Sequence, residues 1–189
     1  MDNALIVSGS SAGTTYIMDM LNAASIRDST SLKTCGEARR LLLARKFDIV
    51  IINAPLKDES GESFSRYIAS KSISQVILIV KSELFDEISA VCEDDGVLTV
   101  SKPVNRAVFW SALKLASSAQ KQLMRVQAEN NRLKQRIEDI RIVDRAKYLL
   151  ISYLTISEQD AHRYIEKQAM NLRITRRAVA EEIIKKYEN

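Results

Sequence analysis

Two short aliphatic runs constrain this chain more than anything else in it: Asp48-Ile49-Val50-Ile51-Ile52-Asn53 and Val76-Ile77-Leu78-Ile79-Val80. Neither alternates apolar with polar residues, and most of their side chains are β-branched. Runs of this kind suit strands covered on both faces, the situation inside a parallel sheet flanked by helices. The neighbouring segments fit that reading. Ala4–Val7 reads as a first strand ending in a Ser8-Gly9-Ser10-Ser11 turn, Ser29–Thr34 as a second, and Val97–Val100 as a fifth, just before Lys102-Pro103. Between them, Thr14–Ala24, Gly36–Arg45 and Phe64–Ser70 carry helical apolar spacing, and Ala107–Ala116 follows as a helix able to run on. Alternating strands and helices predict a doubly wound α/β domain with five parallel strands over residues 1–118, whose ligands belong beyond the carboxyl ends of the strands.

The pattern changes after Ala119. Ala119, Leu123, Val126, Asn130, Leu133, Ile137 and Ile140 recur at alternating spacings of four and three, with Gln, Lys, Arg and Glu between them and no Gly or Pro. That is a heptad seam, with Leu123, Asn130 and Ile137 at a and Val126, Leu133 and Ile140 at d. A buried Asn at a favours a parallel, in-register partner, so 119–140 reads as a dimerising coiled coil. A solvated linker helix is the other reading of the same stretch.

Residues 141–189 read as three short helices. The first continues the coiled coil through Ala146, Leu149 and Leu150 and breaks at Leu154-Thr155-Ile156. Ser157 and Thr175 are the N-caps expected for the second and third. Charge is distributed unevenly: from Lys121 onward there are fifteen Lys/Arg against ten Asp/Glu, leaving thirteen against fourteen before it. A basic helical tail is suited to a polyanion, because neutralising phosphates releases counterions. No apolar run approaches the roughly 20 residues of a membrane span. With no basic region before the first apolar stretch, and with Cys35 and Cys92 isolated, a reduced cytoplasmic protein is expected. Single His162 has neither a second His nor a Ser/Asp or Cys partner pattern, so neither a metal site nor a catalytic triad is predicted, and no cofactor.

The head resembles the receiver domain of two-component response regulators, a flavodoxin-like fold, through its strand order, through DIVIIN with its loop to Gly61, and through Lys102-Pro103. The resemblance implies a phospho-acceptor aspartate where Asn53 stands, an Mg²⁺-binding acid pair where Ser8 and Gly9 stand, and a switch hydroxyl where Val80 stands. Lys102 alone keeps its implied role. An amide is not the carboxylate nucleophile, and Mg²⁺ needs hard oxygen ligands, so the head reads as a pseudo-receiver that takes no phosphate. Asp58 and Glu59 read as solvated turn residues, and Ser8–Gly13 as a plain strand-to-helix turn, not a phosphate loop.

The tail resembles the ANTAR domain, through Ala146-Lys147, Ser157-Glu158 with Ala161 and Arg163, Ala169-Met170 and Val179-Ala180. It departs from that family at Tyr148, where a glycine is usual, and at Arg176, where an aliphatic residue is common. The resemblance implies a protein that binds hairpins in nascent RNA and prevents transcription termination, and no enzyme. Arg141, Arg145, Lys147, Arg163, Arg173, Arg176 and Arg177 are the expected RNA-binding residues, while Tyr148 and Tyr153 are expected to pack in the core before they stack on bases. A homodimer would present two tails, under the control of a regulatory protein or a small ligand. A DNA-binding response regulator with a helix-turn-helix output, or a signalling scaffold that binds only protein, accommodates the same pattern.

Overall fold

A computed structural model describes residues 1–188. The head opens with β1 (Asn3–Ser8), α1 (Ser11–Ala23), β2 (Asp28–Leu32), α2 (Cys35–Ala44) and β3 (Ile49–Asn53). It continues with α3 (Glu62–Lys71), β4 (Gln75–Lys81), α4 (Phe85–Glu93) and β5 (Leu98–Lys102). All five strands pair in parallel, in the order β2-β1-β3-β4-β5. The doubly wound α/β sheet is therefore as expected.

The aliphatic runs lack alternation because both faces of β1, β3 and β4 are covered. Ile6, Ile51, Ile77 and Ile79 pack with Ile17 and Leu21 of α1, and with Phe109 and Leu113, on one face. Leu5, Val50, Ile52 and Leu78 pack with Phe64, Ile68 and Cys92 on the other. Each such aliphatic side chain contributes about 1.5–3 kcal/mol by leaving water.

Two elements differ from expectation for local reasons. α1 begins at Ser11 and not Thr14, because the Ser10 hydroxyl accepts the Gly13 N–H and caps the helix inside the predicted turn. α4 was not anticipated between the fourth and fifth strands. Its buried edge consists of little more than Phe85, Ile88 and Cys92, at spacings of three and four, too short a pattern to stand out in the sequence.

The last head helix does continue into the seam. α5 runs from Arg106 to Leu154 as one 49-residue helix, followed by α6 (Glu158–Leu172) and α7 (Arg176–Tyr187). Ser157 and Thr175 cap α6 and α7 as predicted, accepting the N–H of Asp160 and Ala178. Two compact units result, Met1–Arg125 and a second from Val126. In the first, Gln120 donates to Asp48 Oδ1 at 3.0 Å, tying α5 to the loop before β3. In the second, Ala146, Leu149 and Leu150 pack with Ala161, Ile165 and Ala169 of α6 and Val179, Ala180 and Ile183 of α7. Between these cores Leu123, Val126, Leu133, Ile137 and Ile140 are 47–60% exposed. No helix of the described residues is long and apolar enough to cross a membrane.

Candidate nucleic-acid interface

At the carboxyl ends of the strands, where a receiver does its chemistry, the sheet brings Ser8, Asn53, Lys81 and Lys102 to one edge. Asn53 is buried and donates through Nδ2 to Ser8 Oγ at 3.0 Å. α1 closes over this pair: a Cβ on Gly13 would lie 2.4 Å from Asn53 Nδ2. The N–H groups of Ser10, Gly13 and Thr14 are all taken, by Ser8 Oγ, Ser10 Oγ and the Ser10 carbonyl. Lys102 donates to the Ala54 carbonyl at 2.5 Å, and burial, reinforced by the nearby Lys81 charge, pulls its pKa below that of an ordinary lysine. No carboxylate lines the shallow cleft of about 290 Å³ beside these residues.

Two side-chain placements at this end of the sheet go beyond the sequence reading. Val80 faces the opposite core, with Cys92 and Phe64. Strand alternation places Lys81, paired in register with Lys102, on the Asn53 side. Asp58 and Glu59 are not merely solvated either. Asp58 accepts the Cys35 and Gly36 N–H groups at the start of α2, and Glu59 forms a two-oxygen pair with Arg39. Their charges add to burial in pushing the Cys35 thiol up to about 12. With Cys35 these two carboxylates form the one group among the described residues spaced for a metal ion, but the thiol is held protonated and both carboxylates are engaged.

The tail has its own cleft, of about 350 Å³, between the end of α5, α6 and the start of α7. Ile140 and Val143 supply apolar lining, and Lys147, Arg176, Arg177, His162, Asp139, Asp144 and Thr175 supply polar groups. Three of the seven predicted cations therefore converge. Arg141, Arg145, Arg163 and Arg173 lie outside this cleft on exposed surface.

The converging cations are not free. Lys147 Nζ sits between Asp144 at 2.7 Å and Glu158 at 3.2 Å, and its hydrogen bond to Asp144 raises its pKa above the lysine norm. Arg177 spans Asp139 and Glu181, each at 2.8 Å, and Arg176 reaches Glu166 at 3.2 Å. The hydrogen bond from Arg177 holds the Asp139 carboxyl below the usual range. His162 Nε2 lies 3.3 Å from the same Glu166 oxygen, a feature that its isolation in the sequence did not suggest.

Both tyrosines differ from the core expectation. Tyr148 is 69% and Tyr153 60% exposed, the latter with its ring tilted 33° to that of Tyr187 at a centroid distance of 5.0 Å. Their helix faces water there, because the bundle core uses Ala146, Leu149 and Leu150.

The ANTAR domain model matches residues 131–184, from the second half of the seam through most of α7. Transcriptional regulatory protein PdtaR of Mycobacterium tuberculosis, in strains CDC 1551 / Oshkosh and ATCC 25618 / H37Rv, is 28% identical over 148 residues, which span 78% of this chain and 72% of PdtaR. The signal receiver domain of an HD domain-containing protein from Pseudomonas fluorescens Pf-5 superposes with a TM-score of 0.57 at 20% identity, over 65% of this chain and 91% of that one. The receiver domain of a putative Luxo repressor protein from Vibrio parahaemolyticus gives 0.59 at 19%, over 66% and 96%. At such identities the solved structures speak for the fold of the head alone. With a receiver fold in front and an ANTAR match over residues 131–184 behind, the chain is similar in its layout to the ANTAR-domain response regulators.

Proposed function

We propose that this protein is an RNA-binding transcription antitermination regulator and not an enzyme, in which a pseudo-receiver (1–118) and a coiled coil (119–140) serve an RNA-reading tail (141–189). The observation that carries this reading is the coincidence of the ANTAR match with the tail cleft. That cleft joins cations able to meet phosphate, Lys147, Arg176 and Arg177, to apolar lining from Ile140 and Val143. Arg141, Arg145, Arg163 and Arg173, exposed outside the cleft, add further cations to the surface of the tail. Exposed Tyr148 and Tyr153 offer faces to unpaired bases, which is how sequence in RNA is commonly read.

Dimerisation supplies the rest of the mechanism. The exposed stripe Leu123, Val126, Asn130, Leu133, Ile137 and Ile140 pairs two chains, and each presents one tail to a hairpin in the nascent transcript. Two weak contacts joined in this way act at high effective concentration, so the protein favours a transcript that offers two hairpins together. In the head, Asn53 sits where a phosphoryl acceptor is needed, and control falls to a partner protein or a small ligand.

Binding of a stem-loop RNA and of duplex DNA, each across a salt series, tests the proposal. Tighter binding of the stem-loop with a steep salt slope is the expected result. Equal or tighter binding of duplex DNA would overturn it.

A further inference from the structure

The three cations of the tail cleft face five carboxylates. Asp144 and Glu158 hold Lys147, Asp139 and Glu181 hold Arg177, and Glu166 holds Arg176 while also facing His162. A surface laid out only for attracting phosphate has no use for an acid on each cation. Resting on the RNA reading above, we propose that Asp139 and Glu166 are built-in competitors for RNA phosphate. They hold Arg177 and Arg176 in a paired state that only a correctly shaped RNA displaces.

The chemistry follows from the geometry. The Arg176–Glu166 pair is exposed, at 59% and 45% of the side chains, and the Arg177–Asp139 pair is partly so, at 34% and 42%. Exposed pairs are weak, so an incoming phosphate with good geometry exchanges for the carboxylate at little cost. A phosphate that reaches only one arginine leaves the other acid in place and is repelled by it. The carboxylates therefore weaken all RNA, and weaken poorly fitting RNA most, which is discrimination by a like charge. Each displaced carboxylate also takes up a cation from solution. That offsets part of the counterion release at the phosphate and flattens the salt dependence.

Both residues act through their arginines and are positioning residues. Asp139→Asn and Glu166→Gln keep shape and hydrogen-bonding capacity while removing charge. The full chain is titrated with a stem-loop RNA carrying a randomised unpaired loop, and with fully paired RNA of the same stem. Each variant is expected to bind both RNAs about two- to five-fold more tightly at low salt. The gain should be larger for the fully paired RNA, and the salt slope steeper by up to about one. Glu129→Gln, which frees Arg132 on the exposed part of α5, controls for net charge. Melting curves confirm that each variant is folded.

Cleft variants that behave like Glu129→Gln overturn the proposal and leave RNA binding intact. A native protein that binds no stem-loop RNA sinks the RNA reading, and this inference with it.

Discussion

Arg173 offers a test in which stability and RNA binding move in opposite directions. It ends α6 in the left-handed region, at φ 54° and ψ 40°, with its N–H on the Ala169 and Met170 carbonyls and the Ile174 N–H on Ala169. Glycine is the usual residue at such a helix end, and a side chain there costs roughly 1–2 kcal/mol. Arg173→Gly removes that strain but adds freedom to the unfolded chain worth about 0.5–1 kcal/mol, so a net stabilisation of about 0.5–1 kcal/mol is expected. For a domain of 60–100 residues that corresponds to a Tm higher by about 2–8 °C. Arg173→Ala removes the same guanidinium and keeps the strain. Both variants should lose RNA affinity equally and lower the salt slope by about one. Thr155→Gly, at the other strained junction with φ 52°, should stabilise the tail and leave RNA binding unchanged. Calorimetry and a salt-series titration read both properties. Equal melting of the glycine and alanine variants refutes the strain, and native RNA affinity in Arg173→Gly refutes the contact.

Other perturbations separate the remaining parts. Asn53→Asp loses the donor to Ser8 and buries a carboxylate under α1, so it should cost about 1–3 kcal/mol. Treated with acetyl phosphate and Mg²⁺, it should show no mass gain, since no acid pair is present to hold the metal. In Asp48, burial acts to raise the pKa, but the N–H groups of Asp2 and Asn3 and the Gln120 amide outweigh it and hold the carboxyl low. Its folded pKa is thus below its unfolded one. The stability it lends is complete above the unfolded pKa of about 4 and is lost as pH falls through the folded value. Asp48→Asn should lower stability at neutral pH and flatten acid unfolding below pH about 4, read as Tm against pH. Asn130→Val should strengthen self-association while relaxing register and stoichiometry, as measured by light scattering; an unchanged mass profile would make the seam a spacer.

The sequence displayed the head's fold because its strands are covered on both faces, and Ile49–Ile52 and Val76–Val80 had to be uninterrupted. It displayed the tail helices because Ser157 and Thr175 cap them through local hydrogen bonds that need no distant partner. What it hid depends on side chains brought together from far apart. The packing of Gly13 on Asn53 joins residues 40 positions apart, and nothing local distinguishes that glycine. Nor does the sequence show which face of β4 turns towards Asn53: alternation puts Lys81 on that side and Val80 on the other. In the tail the cations were visible as a cluster, but their carboxylates were not. Asp139 reaches Arg177 across 38 residues, and Glu188 reaches Arg145 across 43.

The register of α5 bears on how a paired seam would act on the cleft. With Leu123, Asn130 and Ile137 at a, the residues that build the tail core fall elsewhere. Ile142 and Leu149 are at f, Val143 and Leu150 at g, and Ala146 at c. Ile151, partly buried against that core, is at a but lies beyond the 119–140 seam, so the bundle folds without occupying the seam's own stripe, and a paired seam leaves the tail core intact. Ile140 is the exception that joins the two. It is the last d position of the seam, 60% exposed, and it also lines the cleft beside Val143 and Asp139. If two chains pair through this stripe, the partner helix buries one face of Ile140 and fixes the cleft wall next to the Asp139–Arg177 pair. Pairing would then do more than bring two tails together. It would set the shape of the surface in which arginine exchanges carboxylate for phosphate, so that a monomer binds RNA more weakly per tail than a dimer does, beyond what effective concentration provides.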